Sequence, residues 1–113
     1  MSTRAYIARE RKAGELEFIY NHYDGDPEYL GRILKRCYRT RDKVETLLQG
    51  GDISYIRERP DLIERARGGK PAEVMPERRF RNLLASRTLD YVYLFRRGRW
   101  TAFDAEMNEI EIP

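Results

Sequence analysis

Asn21 to Gly31, reading NHYDGDPEYLG, holds the chain's one histidine and places His22, Asp24, Asp26 and Glu28 at alternate positions. In an extended segment alternate side chains project to one side, so an imidazole nitrogen and carboxylate oxygens there have the chemistry to bind a divalent ion that activates water. The same residues also have a structural use. Asp24-Gly25 suits a turn, Asp26 a helix N-cap, Pro27 the first helical position, and Glu28 the positive end of the helix dipole. Calcium loops need a longer pattern with a distant glutamate, and hydrolytic zinc sites need more than one histidine. The structural use therefore ranks first, and a metal-dependent hydrolase around His22, Asp24 and Asp26 is the third reading.

Other catalytic chemistry is thinly represented. No serine or cysteine nucleophile is paired with His22 in sequence, and there is no P-loop, G-x-G-x-x-G, kinase or hydrolase signature. The single cysteine, Cys37, lies between Leu34 and Tyr38 in an apolar stripe, which makes it an inert core thiol and fits a reducing compartment. A non-enzymatic protein without a cofactor is the expectation. The 113 residues suffice for one domain, and 41% hydrophobic against 36% charged residues describes a globule with a well-solvated exterior. No run approaches the roughly 18 apolar residues of a membrane span, and the start lacks the apolar core of a secretion signal. A cytoplasmic location with no membrane partner is expected.

The elements follow from periodicity. Thr3 to Arg11 and Leu16 to Asp24 read as a hairpin about Lys12-Ala13-Gly14-Glu15, with Ile7 opposite Tyr20 and Ala5 opposite His22, on a face shared with Leu16 and Phe18. Leu30, Ile33, Leu34, Cys37 and Tyr38 recur at helical spacing after Asp26-Pro27. Thr40 caps a second helix carrying Val44, Leu47 and Leu48, ended by Gly50-Gly51. Asp61 to Arg67 predicts a short helix, and Phe80, Leu83 and Leu84 another. Leu89 to Arg96 and Trp100 to Asp104 form a closing hairpin, and Glu109 to Ile112 an edge strand. This order predicts an α+β domain spanning 1–113: an antiparallel sheet from N- and C-terminal hairpins, with the helical middle packed on one face.

The surface carries the remaining signal. The net charge is only +3, but Glu77 to Arg99 contains seven arginines against Glu77 and Asp90, and Trp100 to Pro113 is acidic. Thirteen aromatics include eight tyrosines, several beside arginines on strands. A sheet face left open by the helices, bearing tyrosine and arginine, has the composition of a protein-binding hot spot and also of a single-strand nucleic-acid platform. Tyr6, Tyr23, Arg36, Arg39, Arg96, Arg97 and Trp100 are the candidate binding residues. The helix face of Arg32, Lys35, Arg36 and Arg39 matches an acidic groove on a partner. Packing alone is the competing account of many of these tyrosines.

The stretches MSTRAYIARE, IYNHYDGDPEYLG, GDIS and YVYLFRRGRW together resemble a family of short proteins of bacteriophages, prophages and other mobile elements. Its Ser-Thr-Arg start and I-Y-x-H-x-D-G-x-P-x-x-x-G centre fall here on Ser2, Thr3, Arg4, Ile19, Tyr20, His22, Asp24, Gly25, Pro27 and Gly31. The likeness covers the first half and the last hairpin, while Arg57 to Leu84 matches nothing in it. The resemblance supplies a setting and no mechanism. It implies a stoichiometric accessory protein that binds a host protein or nucleoprotein complex, as an anti-CRISPR-like, anti-defence inhibitor does. The second reading is a nucleic-acid-binding domain; a second copy of the chain is a further partner that an open sheet face accommodates.

Overall fold

Strand β1, Ala5–Lys12, turns through Ala13-Gly14 into β2, Glu15–Asn21, with Gly14 at φ +76°. The computed structural model describes residues 2–113. Ala5 pairs with Asn21 and Ile7 with Ile19, but Lys12 pairs with Glu15, so Arg11 is an extra residue in β1. This bulge corrects the expected register by one position. Because side chains alternate with period two, a one-residue slip exchanges faces. Ala5, Ile7 and Ile19 therefore join one core, and Tyr6, Ala8, Leu16, Phe18 and Tyr20 the other.

After β2, Asp24 takes φ +53° and Gly25 docks on the N-terminal segment, its N–H donating to Thr3 O at 3.0 Å. Pro27–Gly31 makes a wide, π-helical turn that runs into α1, Arg32–Cys37. The Asp26 side chain makes no capping hydrogen bond, contrary to the sequence expectation. Its backbone carbonyl instead accepts from Tyr29 N–H at 3.2 Å and from Gly31 N–H at 3.3 Å, and the second bond, spanning five residues, is what widens the turn. Gly31 is needed for packing: a Cβ there would sit 3.1 Å from Ile112 Cγ2 and 3.4 Å from Tyr93 Cε1. Helix α2, Arg41–Gln49, begins as expected, with Thr40 Oγ1 accepting from Lys43 N–H at 3.2 Å.

The middle of the chain departs most from expectation. Ile53–Tyr55 is β3, Pro60–Leu62 a single 3₁₀ turn, and Glu64–Arg65 the short β4 in place of a helix over Asp61 to Arg67. Tertiary bonds decide this: Arg65 Nη1 donates to Leu47 O at 3.2 Å and Gly51 O at 3.1 Å, holding β4 against the carboxyl end of α2. Glu73–Pro76 is β5, followed by α3, Glu77–Ala85, then β6, Tyr91–Arg96, β7, Arg99–Asp104, and the edge strand β8, Glu109–Ile110.

The class is α+β, with one sheet in the order β4-β3-β2-β1-β6-β7-β8 and β5 on the free half of the β2 edge. Two details of the expected sheet change. The terminal hairpins meet through β1 and β6, which run parallel with Ala5 beside Tyr91 and Arg9 beside Phe95, so the sheet is mixed. Helices also lie on both faces. Helices α1 and α2 cover the core of Ile7, Ile19, Leu34, Leu47, Tyr93 and Ala102, while Phe80 of α3 seals Tyr6, Phe18, Val92 and Leu94 on the other side. The reason is sequence pattern: both faces of β1 and β6 are apolar, and each must leave water, at about 1.5–3 kcal/mol per large side chain. Three of the eight tyrosines, Tyr6, Tyr38 and Tyr93, are thus core residues. No helix among the described residues is long and apolar enough to cross a membrane.

Candidate functional site

A cationic groove forms where the carboxyl end of α1 meets the β6–β7 turn. Trp100 anchors it. Its ring packs on Phe95, centroids 5.1 Å apart, and its Nε1–H donates to Tyr38 O at 2.8 Å, tying the end of α1 to β7. Around these rings a hollow of about 660 Å³ is lined by Lys35, Arg36, Arg39, Gly98, Arg99 and Pro113. A second hollow of about 370 Å³ continues from it, sharing Arg39, Phe95 and Gly98 and adding one acid, Glu10, with the bases Arg9, Arg11, Lys12, Arg41 and Arg97.

Charge in this groove is unevenly compensated. Arg41 pairs with Glu45 at 3.4 Å, Arg11 and Lys12 with Glu15 at 3.4 and 4.0 Å, and Arg9 with Glu17 at 2.7 Å. Among the described residues Lys35, Arg36, Arg39, Arg97 and Arg99 have no carboxylate within 4 Å. The Lys35 ammonium donates to Ile112 O at 3.2 Å, so it is positioned but not neutralised. Five cations are thereby held together against their mutual repulsion, an arrangement that favours an anionic partner.

Backbone strain accompanies the charge. Arg97 has φ +54° and Gly98 φ +74° in a two-residue turn between the paired residues Arg96 and Arg99. A tight hairpin of this kind wants asparagine or glycine at the first position, and an arginine there costs stability. The side chain retained in spite of that cost projects from the rim of the groove.

The structure brings Arg36, Arg39, Arg97 and Trp100 together and separates the other sequence-derived candidates. Arg96 faces the opposite side of the sheet, where Nε lies 3.1 Å from Glu10 Oε2 and Nη2 pairs with Glu77. Tyr6 is buried in the α3-side core. Tyr23 is exposed and stacks on Tyr55, centroids 4.8 Å apart, with the Arg57 guanidinium 5.1 Å from the Tyr55 ring.

His22, Asp24 and Asp26 are likewise dispersed. His22 Nδ1 shares a 2.8 Å hydrogen bond with the Tyr20 hydroxyl, and its ring meets Tyr23 edge-on at 4.3 Å. Asp24 is exposed at its turn, and no three His, Cys, Asp or Glu side chains among the described residues come together as ligands for one ion. Cys37 is a free, half-buried thiol packed against the α1-side core.

Burial pushes the Tyr38 phenol up to about 12, with smaller contributions from nearby charges, and drives Tyr93 further in the same direction. Both serve as neutral hydrogen-bond donors, Tyr38 to Arg57 O at 2.8 Å and Tyr93 to Gly25 O at 2.6 Å. Sequence reasoning missed a second cavity on the α3 side, of about 430 Å³, where Arg4, Lys70 and Arg87 converge from three distant segments. No local signal joins those positions. No protein-family model, curated protein or solved structure matches the chain.

Proposed function

We propose that the protein is a non-enzymatic accessory protein of a phage or mobile element, acting in the host cytoplasm by seating its cationic groove on an acidic surface of a host protein complex. An anti-CRISPR-like inhibitor of host defence is the form this activity takes. The observation that carries the reading is the convergence of Lys35, Arg36, Arg39, Arg97 and Arg99, none paired with a carboxylate, around the fixed ring of Trp100. A rigid aromatic post ringed by arginines has the composition of a binding hot spot, and complementary charge speeds encounter and fixes register. The resemblance to mobile-element proteins supplies the setting.

Nucleic acid is the second reading, favoured by the extent of the groove: cations from Lys35 past Arg39 to Arg97 line its two adjoining hollows. Phe95 is buried and Trp100 half-buried, which supports phosphate contacts over base stacking.

The test is a pull-down from host lysate with wild-type protein and with Arg36→Glu/Arg39→Glu, each with and without nuclease. A defined complex retained after nuclease, lost in the variant, and inhibited at one-to-one stoichiometry supports the proposal. Capture that disappears with nuclease moves the reading to nucleic acid. Binding should then weaken steeply with salt, the slope falling by about one per phosphate-contacting arginine removed.

A further inference from the structure

The cavity on the α3 side is a separate site at the opposite end of β1 from the groove. Its floor is aromatic: Tyr6, Phe18 and Tyr20 line it, with Tyr6 4.9 Å from Phe18 and 6.2 Å from Tyr20 between ring centroids. Its walls are Lys70 of the loop before β5, Glu73 at the start of β5, and the loop Ser86 to Leu89 that follows α3. At about 430 Å³ it falls in the range of small-ligand pockets.

Two features set it apart from ordinary surface relief. First, the Tyr6 hydroxyl makes no hydrogen bond to another described residue and is not sealed from solvent, so it is free to donate into the cavity that Tyr6 lines. The groups whose charge acts on that hydroxyl, Arg87, Glu73, Asp52 and Tyr20, all line the cavity. Burial raises both the Tyr6 and Tyr20 phenols above their ordinary range, and the Tyr20 hydroxyl is already bonded to His22 Nδ1 at 2.8 Å.

Second, the acids in the cavity do not neutralise its bases. Asp52 is occupied by backbone donors, accepting from Tyr20 N–H at 2.9 Å and Lys70 N–H at 3.0 Å. Arg4, Lys70 and Arg87 have no carboxylate within 4 Å among the described residues, so three cations face the two acids Asp52 and Glu73 and the lining keeps a net positive charge.

An aromatic floor, a phenol free to donate and guanidinium groups at the rim match one ligand chemistry. We infer that this cavity binds a small phosphate monoester with a flat ring, of the nucleoside monophosphate kind, the ring lying over Tyr20 and the phosphate accepting from Arg4, Arg87 and the Tyr6 hydroxyl. Arginine forks suit phosphate oxygens, and each charge-assisted bond adds orientation as well as affinity.

The experiment is an amide-resolved NMR titration of the full chain with AMP, UMP and 4-nitrophenyl phosphate, with adenosine and inorganic phosphate as partial ligands. At least one monoester should shift Tyr6, Tyr20, Ser86 and Arg87 saturably, and the partial ligands should bind about tenfold more weakly or less. Arg87→Gln should weaken binding about tenfold, the effect of losing one charged hydrogen bond. Tyr6→Phe, which keeps the ring and the fold, should weaken it several-fold, whereas Arg36→Glu/Arg39→Glu in the groove should leave it unchanged. Absence of saturable shifts with all three monoesters overturns the inference. So does binding that persists in both Arg87→Gln and Tyr6→Phe, or that depends on the groove arginines.

Discussion

Removing one oxygen atom tests what the NHYDGDPEYLG stretch is for. Tyr93 is fully buried, and its hydroxyl donates to Gly25 O at 2.6 Å across 68 positions of sequence. Gly25 in turn fits only as glycine, since a Cβ there would lie 2.7 Å from Thr3 O and 3.0 Å from Ala5 Cβ. Tyr93→Phe preserves the ring packing and leaves the Gly25 carbonyl without that bond in a site shielded from water, a cost of about 1–3 kcal/mol. For a chain of this size each kcal/mol moves Tm by about 4 °C, so Tm should fall by about 4–12 °C. Urea unfolding should show a lower midpoint at unchanged slope, because the surface exposed on unfolding is the same. Calorimetry with and without a chelator completes the assay. A Tm within about 1 °C of wild type would refute the anchoring role. A loss restored by added divalent metal would show instead that the stretch is held by an ion on His22 and its neighbouring carboxylates.

Three further outcomes follow from the site and the core. Arg97→Asn places a residue suited to positive φ in the β6–β7 turn and should raise Tm, by about 0.5–1 kcal/mol of stability, while weakening partner binding; a lowered Tm would show that the arginine supports the fold. Trp100→Phe removes the bond to Tyr38 O and should cost about 1 kcal/mol in urea unfolding, with a loosened groove seen as reduced protection of the last turn of α1 in hydrogen exchange. Unchanged protection there would separate Trp100 from the groove's geometry. With Tyr38 raised from its ordinary 10 to about 12, its folded value lies above its unfolded one, so its contribution is complete below about pH 10 and is lost as pH rises towards 12. Urea midpoints should be level up to about pH 10 and fall beyond it; ionisation of all eight tyrosines near their ordinary value with the fold intact would contradict that burial.

Local chemistry made much of the secondary structure legible and left its assembly hidden. The Thr40 cap, the apolar stripe of α2, the β6–β7 hairpin and the β8 edge all follow from short-range signals. The register of β1 on β2 did not, because the bulge at Arg11 depends on how the turn closes, and one misplaced residue inverts both faces. Strands β3, β4 and β5 are two to four residues long and exist through partners elsewhere, so no periodicity announces them. The arginines and the tryptophan of the groove could be chosen by type, yet their convergence depends on the α1 terminus landing beside β7. The cavity residues come from the N-terminal segment, the loop before β5 and the loop after α3, a union that only the tertiary fold creates.

The parallel contact between β1 and β6 has a temporal meaning as well as a geometric one. Strand β1 is made well before its second neighbour, β6, which four strands and all the helices separate from it in the chain order. Until Tyr91 to Arg96 has emerged, β1 presents an unpaired backbone edge bearing Tyr6, Ile7 and Ala8, with neither core closed. Closing a sheet through contacts so distant in sequence is slow, and an apolar edge that waits is a template for joining other chains. The protein therefore depends during synthesis on the β1–β2 hairpin and α1–α2 forming early, and its yield at high expression should be limited by how long that edge stays open.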